Sequence, residues 1–106
     1  MAWLILVAAG LLEVVWAYAM KRSEGFTQPI ASTVTVAAAL GSFVLLALAM
    51  RSLPLGTAYT AWTGIGAVGA FVLGILLLGE SASPLRIAAA ALIVSGLVLM
   101  KLSGDA

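Results

Sequence analysis

The segment Leu55–Leu78 reads LGTAYTAWTGIGAVGAFVLGILLL and contains no charged residue. A helix needs about 20 mainly apolar residues to cross the hydrocarbon core of a bilayer, so this segment is long enough to span it. Three further apolar segments cover approximately residues 2–20, 30–50 and 85–102, and short breaks with proline or glycine separate the four. The sequence therefore predicts an all-α integral membrane protein, with four transmembrane helices in a single domain over residues 1–106.

The overall composition supports this class and excludes several others. The chain has 106 residues, of which 64% are hydrophobic and 8% charged, and its mean hydropathy is +1.24. Soluble domains usually carry about 25% charged residues. The net charge of +1 offers no basic surface for nucleic acid, and the absence of Cys and His excludes disulfides, thiol nucleophiles and histidine-based metal sites. We expect a multi-pass protein of the cell membrane with no nucleic-acid partner, no metal, no cofactor and no enzyme activity.

Positive charges are almost balanced between the two sides of the predicted bundle. With four spans, both termini lie on one side, which carries Arg51 and Lys101, whereas the other side carries Lys21, Arg22 and Arg86. Lysine and arginine normally concentrate in cytoplasmic loops, so a difference of one residue is a weak orientation signal. We therefore predict that the chain inserts in both orientations and that two copies pair head to tail.

Glu13 is an acidic residue near the middle of the first predicted span. An ionised acid at that depth costs about 2.5–3.5 kcal/mol on insertion scales. The carboxylate can lower this cost by taking up a proton or by holding a cation, and both would use the same oxygens. Because intramembrane acids usually mark ion or substrate pathways, Glu13 is predicted to bind protons and a cationic substrate in competition. A purely structural hydrogen bond at a helix interface is the alternative interpretation.

Aromatic and polar residues recur at helical spacing around this acid. Trp16 and Gly10 lie three residues to either side of Glu13 and share its helix face. The same kind of spacing aligns Tyr59, Trp62, Thr63 and Gly66 on the third span, and Thr35 and Ser42 on the second. Aromatic faces next to a carboxylate suit an organic cation.

The third span also contains Gly64-Ile65-Gly66-Ala67-Val68-Gly69, which matches the dinucleotide pattern GxGxxG by letters. That pattern requires a preceding strand and a βαβ unit, whereas this stretch lies inside an apolar helix. Small residues at such positions instead favour close helix packing and bending. The glycines predicted to serve packing or bending are Gly10, Gly64, Gly66 and Gly96.

Several motifs together resemble a known family. They are Glu13-Val14-Val15-Trp16, Gly25-Phe26-Thr27, Leu53-Pro54-Leu55-Gly56-Thr57-Ala58-Tyr59, Trp62-Thr63-Gly64-Ile65-Gly66-Ala67 and Gly79-Glu80-Ser81. The chain resembles the small multidrug resistance family over essentially its whole length. Trp16, three residues after the acid, resembles the guanidinium-exporter subtype of that family.

The resemblance implies an antiparallel homodimer with one site shared between the subunits. Glu13 of both chains would form the central pair, with Trp16 donating to it, and Ser42, Tyr59 and Trp62 would complete the network. The resemblance also implies guanidinium export driven by protons moving inward. The chemistry agrees, because guanidinium is a planar cation whose paired N–H groups match a carboxylate in a bidentate way.

Two alternatives remain open at this point. A broader exporter of quaternary ammonium or lipophilic cations would rely on aromatic contact and a wider cavity, because such cations lack N–H donors. A proton-carrying rotor or ring subunit would also use one intramembrane carboxylate, but it would need no aromatic residues around it.

Overall fold

The computed structural model describes residues 1–103, and within them four α-helices follow one another. They are α1 (Ala2–Arg22), α2 (Pro29–Ala49), α3 (Leu55–Leu78) and α4 (Pro84–Leu102). All four are long and apolar enough to cross a bilayer. The predicted all-α membrane protein with four transmembrane helices is thereby confirmed.

Proline, serine and glycine mark the helix ends. Pro29 and Pro84 occupy the first turns of α2 and α4, where a missing N–H costs no intrahelical bond. Ser83 caps α4, because its hydroxyl oxygen accepts a hydrogen bond from the backbone N–H of Arg86 at 3.4 Å. Gly79 ends α3 in the left-handed conformation, with φ of 70°. The short connection from α3 to α4 therefore has a defined geometry.

The helices form a thin layer in the order α2, α1, α3, α4. α1 packs against α2 and α3, α2 meets α3 only over a narrow contact, and α4 packs mainly against α3, with the Lys101 ammonium of α4 5.6 Å from the ring centroid of Trp3 in α1. The layer measures 42 × 34 × 16 Å. Since one helix with its side chains is about 10–12 Å across, the chain is little more than one helix thick. No residue of α4 is buried in the described chain.

The core lies between α1, α2 and α3. Four of its seven members are alanines, which let the helices approach closely. The seven members are Leu6, Ala9, Leu46, Ala49, Ala58, Ala61 and Trp62. Large leucine, valine and isoleucine side chains cover the outer faces of the layer, where lipid surrounds them at no hydrophobic cost.

Candidate functional site

Glu13 lies in the middle of α1, at the contact between α1 and α3. Its carboxyl group packs directly against Gly66 of α3, and a Cβ atom at position 66 would overlap it. Gly66 is buried, whereas the Glu13 side chain remains partly exposed. The absence of a side chain at position 66 therefore lets α3 cover one side of the carboxyl group and leaves another side open.

Two buried polar atoms beside this contact have no hydrogen-bond partner among the described residues. They are Glu13 Oε1 and Trp16 Nε1, one acceptor and one donor. Buried polar atoms are normally hydrogen-bonded, so these two mark the one place beside Glu13 where the described residues leave a buried acceptor and a buried donor unsatisfied. Trp16 lies one helical turn after Glu13, yet its indole N–H does not donate to the carboxylate within one chain.

A buried hydrogen-bond chain connects three helices next to the acid. Trp62 Nε1 of α3 donates to Ser42 Oγ of α2 at 2.9 Å, and Ser42 Oγ donates to the carbonyl oxygen of Ala9 in α1 at 2.7 Å. A hydroxyl group can donate and accept at once, which is what this position requires. Ala9 lies one turn before Glu13, so these two hydrogen bonds hold α2 and α3 in place around the carboxyl group.

Four aromatic rings form a row across α1, α2 and α3. The centroids of Trp16 and Phe43 are 6.4 Å apart, those of Phe43 and Trp62 5.9 Å, and those of Trp62 and Tyr59 5.6 Å. These separations lie in the favourable range for aromatic pairs, and ring faces attract cations. Phe43 was not predicted, because nothing in the periodicity of α2 separates it from the other apolar residues of that span.

The predicted stripe on α3 divides between two neighbouring surfaces. Trp62 and Gly66 are buried towards α1 and α2, whereas Tyr59 and Thr63 are exposed and line a groove between α3 and α4. Thr63 therefore does not share the environment of Trp62, and the expectation that the two side chains face the same neighbours is wrong. A stripe at this spacing is about 100° wide, enough to meet two neighbours. Thr35 is buried on α2 but donates to a carbonyl of its own helix at 2.8 Å.

The other predicted glycines differ in their surroundings. A Cβ at Gly10 would collide with Ile65 of α3, and one at Gly64 would come within 2.9 Å of Leu97 of α4. Both glycines therefore allow close contacts between helices. A Cβ at Gly96 would meet nothing within 4 Å, so its role in packing stays a prediction.

We expect Ser42→Ala to destabilise the fold, because it leaves the buried N–H of Trp62 without an acceptor. An unsatisfied buried group costs about 1–3 kcal/mol, so the thermal midpoint of the purified protein, followed by circular dichroism in detergent, should fall. Ser95→Ala is the matched control, since Ser95 Oγ donates only to the Ala91 carbonyl of its own helix at an exposed position. Equal thermal midpoints for the two variants would contradict a structural role for the hydrogen bonds of Ser42.

The fold and this arrangement define a small multi-pass membrane protein with one acidic group in the middle of its first helix, placed beside aromatic rings and an unpaired indole donor. Within residues 1–103, no three acidic, Cys or His side chains gather in a way that could hold a metal ion. The chain belongs to the small multidrug resistance family, because the family model described as "Small Multidrug Resistance protein" matches residues 1–93.

Individual relatives are similar over nearly their full length. A protein of Escherichia coli (strain K12) named "Guanidinium exporter" is 60% identical over 103 residues, which is 97% of this chain and 98% of that protein. Proteins of Citrobacter freundii and Salmonella typhimurium with the same name are each 57% identical, with the same coverage. The resemblance predicted from the motifs is confirmed at the level of the family.

Proposed function

We propose that this protein is an antiporter of the cell membrane that exports guanidinium and related small guanidinyl cations in exchange for protons. The observation that carries the proposal is the Glu13 carboxyl group, which lies in mid-bilayer with a buried oxygen unpaired beside the unpaired N–H of Trp16. The relatives named "Guanidinium exporter" support the substrate class.

Competition for one carboxylate explains how substrate and protons are exchanged. Guanidinium has only N–H donors, and it binds the ionised Glu13 through paired hydrogen bonds. The indole N–H of Trp16 is also a donor only, so it does not hydrogen-bond the cation. Because this N–H is unpaired within one chain, in this proposal it orients a Glu13 carboxylate in the dimer. Protonation of Glu13 removes the negative charge and releases the cation. The site therefore changes its access from one side of the membrane to the other while it holds either a proton or guanidinium.

An antiparallel homodimer completes the site in this proposal. The chain is only 16 Å thick and leaves the Glu13 side chain partly exposed, so a second layer is needed to enclose it. α4 has no buried residue and offers an apolar surface for pairing. Alternating access commonly requires two copies of a fold in inverted orientation, and the nearly balanced positive charges favour insertion in both orientations.

Transport into sealed vesicles tests the function. Vesicles that contain the protein and are more acidic inside than outside should accumulate labelled guanidinium as protons leave. Collapse of the pH gradient with a proton ionophore should stop the accumulation, and vesicles without protein provide the background. Guanidinium uptake that does not respond to the gradient would refute proton coupling, and no uptake at all would refute the substrate.

Trp16→Phe separates selective guanidinium export from broader cation export. The change keeps an aromatic ring but removes the N–H, so the preference for guanidinium over tetramethylammonium should fall about tenfold, the worth of one charge-assisted hydrogen bond. Trp3→Phe is the control, because Trp3 lies near the start of α1 with the Lys101 ammonium 5.6 Å from its ring centroid. A native protein that carries tetramethylammonium and ignores guanidinium would favour the broader exporter, and one that binds neither would favour the rotor subunit.

A further inference from the structure

A second cleft lies at the end of the layer where α3 turns into α4. It has a volume of about 290 Å³ and opens between α1 and α3, with Glu80 and Arg86 among the residues that line it. Its lining begins at Ala17, one helical turn beyond Glu13 on α1. The cleft therefore lies about one helical turn from the candidate site, at the end of the helices where α3 turns into α4.

The cleft already contains a guanidinium group, that of Arg86. The Arg86 Cζ atom lies 5.2 Å from the centroid of the Phe71 ring, and Arg86 Nη2 lies 4.0 Å from Glu80 Oε1. An aromatic face and a carboxylate are the same two groups that Glu13 and its aromatic neighbours offer at mid-bilayer. The surroundings of Arg86 thus match the chemistry of the proposed substrate.

The backbone holds Glu80 in the cleft. The left-handed Gly79 reverses the chain, and the backbone N–H of Glu80 donates to the carbonyl of Gly74 at 3.0 Å. The Glu80 carboxylate packs against Gly74, where a Cβ atom would overlap it. Glu13 and Gly66 show the same pairing of a carboxylate with a glycine of α3. Glu80 is therefore directed over the end of α3.

Arg86 and Glu80 can each leave their ion pair and take another partner. The two side chains are 46% and 43% exposed, and ion pairs of this separation and exposure contribute little to stability. Lys21 also lines the cleft, and the guanidinium of Arg22 lies 5.8 Å from the ring centroid of Tyr18, another lining residue. These nearby cations oppose tight binding of a further cation, so any guanidinium in the cleft is held briefly.

We infer that Phe71 and Glu80 form a second, peripheral binding subsite for guanidinium cations, which Arg86 fills until a substrate guanidinium displaces it. The inference rests on guanidinium being the substrate of the proposed function. In this arrangement the tethered guanidinium of Arg86 keeps the route beyond Glu13 occupied when no substrate is present. A cation that leaves or approaches Glu13 then exchanges with it at Glu80.

Titration with guanidinium chloride, followed by the backbone amide signals of Gly74 and Gly79 in two-dimensional NMR, tests the subsite in the full chain. The experiment uses a Glu13→Gln background, which silences the mid-bilayer site. Replacement Arg86→Ala removes the tethered competitor, whose local concentration is in the millimolar range or above. Because an exposed ion pair of this kind is weak, the guanidinium concentration at half-saturation of the Gly74 shift should fall about two- to sixfold.

Three further variants sharpen the result. Arg86→Lys keeps the charge but lacks the planar N–H pairs, so it should also release the subsite to added guanidinium, although less fully. Glu80→Gln added to Arg86→Ala should abolish the shift. Arg51→Ala, at an exposed position on the other side of the layer, should change nothing. Sodium chloride at equal ionic strength measures the effect of salt.

The outcomes separate this inference from the proposed function. The Gly66 amide reports the mid-bilayer site, and its shift with guanidinium in the native chain should disappear in Glu13→Gln. Survival of that Gly66 shift would count against the proposed function alone. Absence of a saturable Gly74 shift in the Arg86→Ala variant, or an undiminished shift after Glu80→Gln, would overturn the peripheral subsite.

Discussion

Glu13→Gln is expected to abolish both guanidinium binding and proton-driven guanidinium transport. Glutamine keeps the shape of the side chain but has no negative charge and takes up no proton near neutral pH. Charge-assisted hydrogen bonds contribute about 1.5–3 kcal/mol each, and each ~1.4 kcal/mol is a factor of ten. The loss of a bidentate pair should therefore weaken binding about a hundredfold or more.

The measurement is guanidinium uptake into vesicles that are more acidic inside, combined with binding to the purified protein by calorimetry. Glu24→Gln provides the matched control, because Glu24 lies in the exposed connection after α1 and its carboxylate accepts a hydrogen bond from Gln28 Nε2 at 2.8 Å. This control should transport at the native rate. Gradient-driven uptake that persists in Glu13→Gln would refute the central role of the carboxylate.

Gly66→Ala is expected to raise the guanidinium concentration needed for half-maximal transport by about ten- to hundredfold, because small displacements of a binding group carry large penalties. The added methyl group would overlap the Glu13 carboxyl group and come within 2.8 Å of its Cγ atom. The carboxyl group must then leave its place beside α3. Removal of a glycine from a helix interior by itself favours the helix by about 1 kcal/mol, so secondary structure should not be lost.

Two other glycines of α3 separate this effect from general damage. A Cβ at Gly56 meets nothing within 4 Å, so Gly56→Ala should leave transport unchanged. A Cβ at Gly69 would overlap Val14 of α1, and the atoms nearest to it belong to Val14 and not to Glu13, so Gly69→Ala should lower thermal stability more than it alters the apparent KM. An equal rise in KM for the variants at positions 66 and 69 would show that packing, not the carboxylate position, limits binding.

Much of the fold followed from local properties of the sequence. The four apolar runs correspond to α1 to α4, and proline and glycine residues lie at or near the helix ends. A helix satisfies its own backbone hydrogen bonds, so in lipid an apolar run of sufficient length forms one whatever surrounds it. Glu13 stood out for a similar reason, because the cost of an acid at mid-bilayer depends on depth and not on any particular neighbour.

Contacts between helices were predicted less well. Helical spacing placed Thr63 beside Trp62 on α3, but the structure directs Thr63 to the groove with α4. Phe43 carried no signal in the sequence, although it lies between the rings of Trp16 and Trp62. Periodicity defines the face of a single helix, whereas the identity of the neighbour depends on the arrangement of all four helices.

The number of helices, their membrane location and the presence of one acidic residue inside a span can be read from the sequence, since each depends on the local balance between hydration and lipid. The order α2, α1, α3, α4, the bridge from Trp62 through Ser42, and the placement of carboxylates against Gly66 and Gly74 emerge only in the folded chain. Lipid surrounds the apolar face of any of these helices equally well, so hydrophobicity does not choose between packing partners. Close contact at small residues and the pairing of buried polar atoms make that choice, and both join residues far apart in the chain.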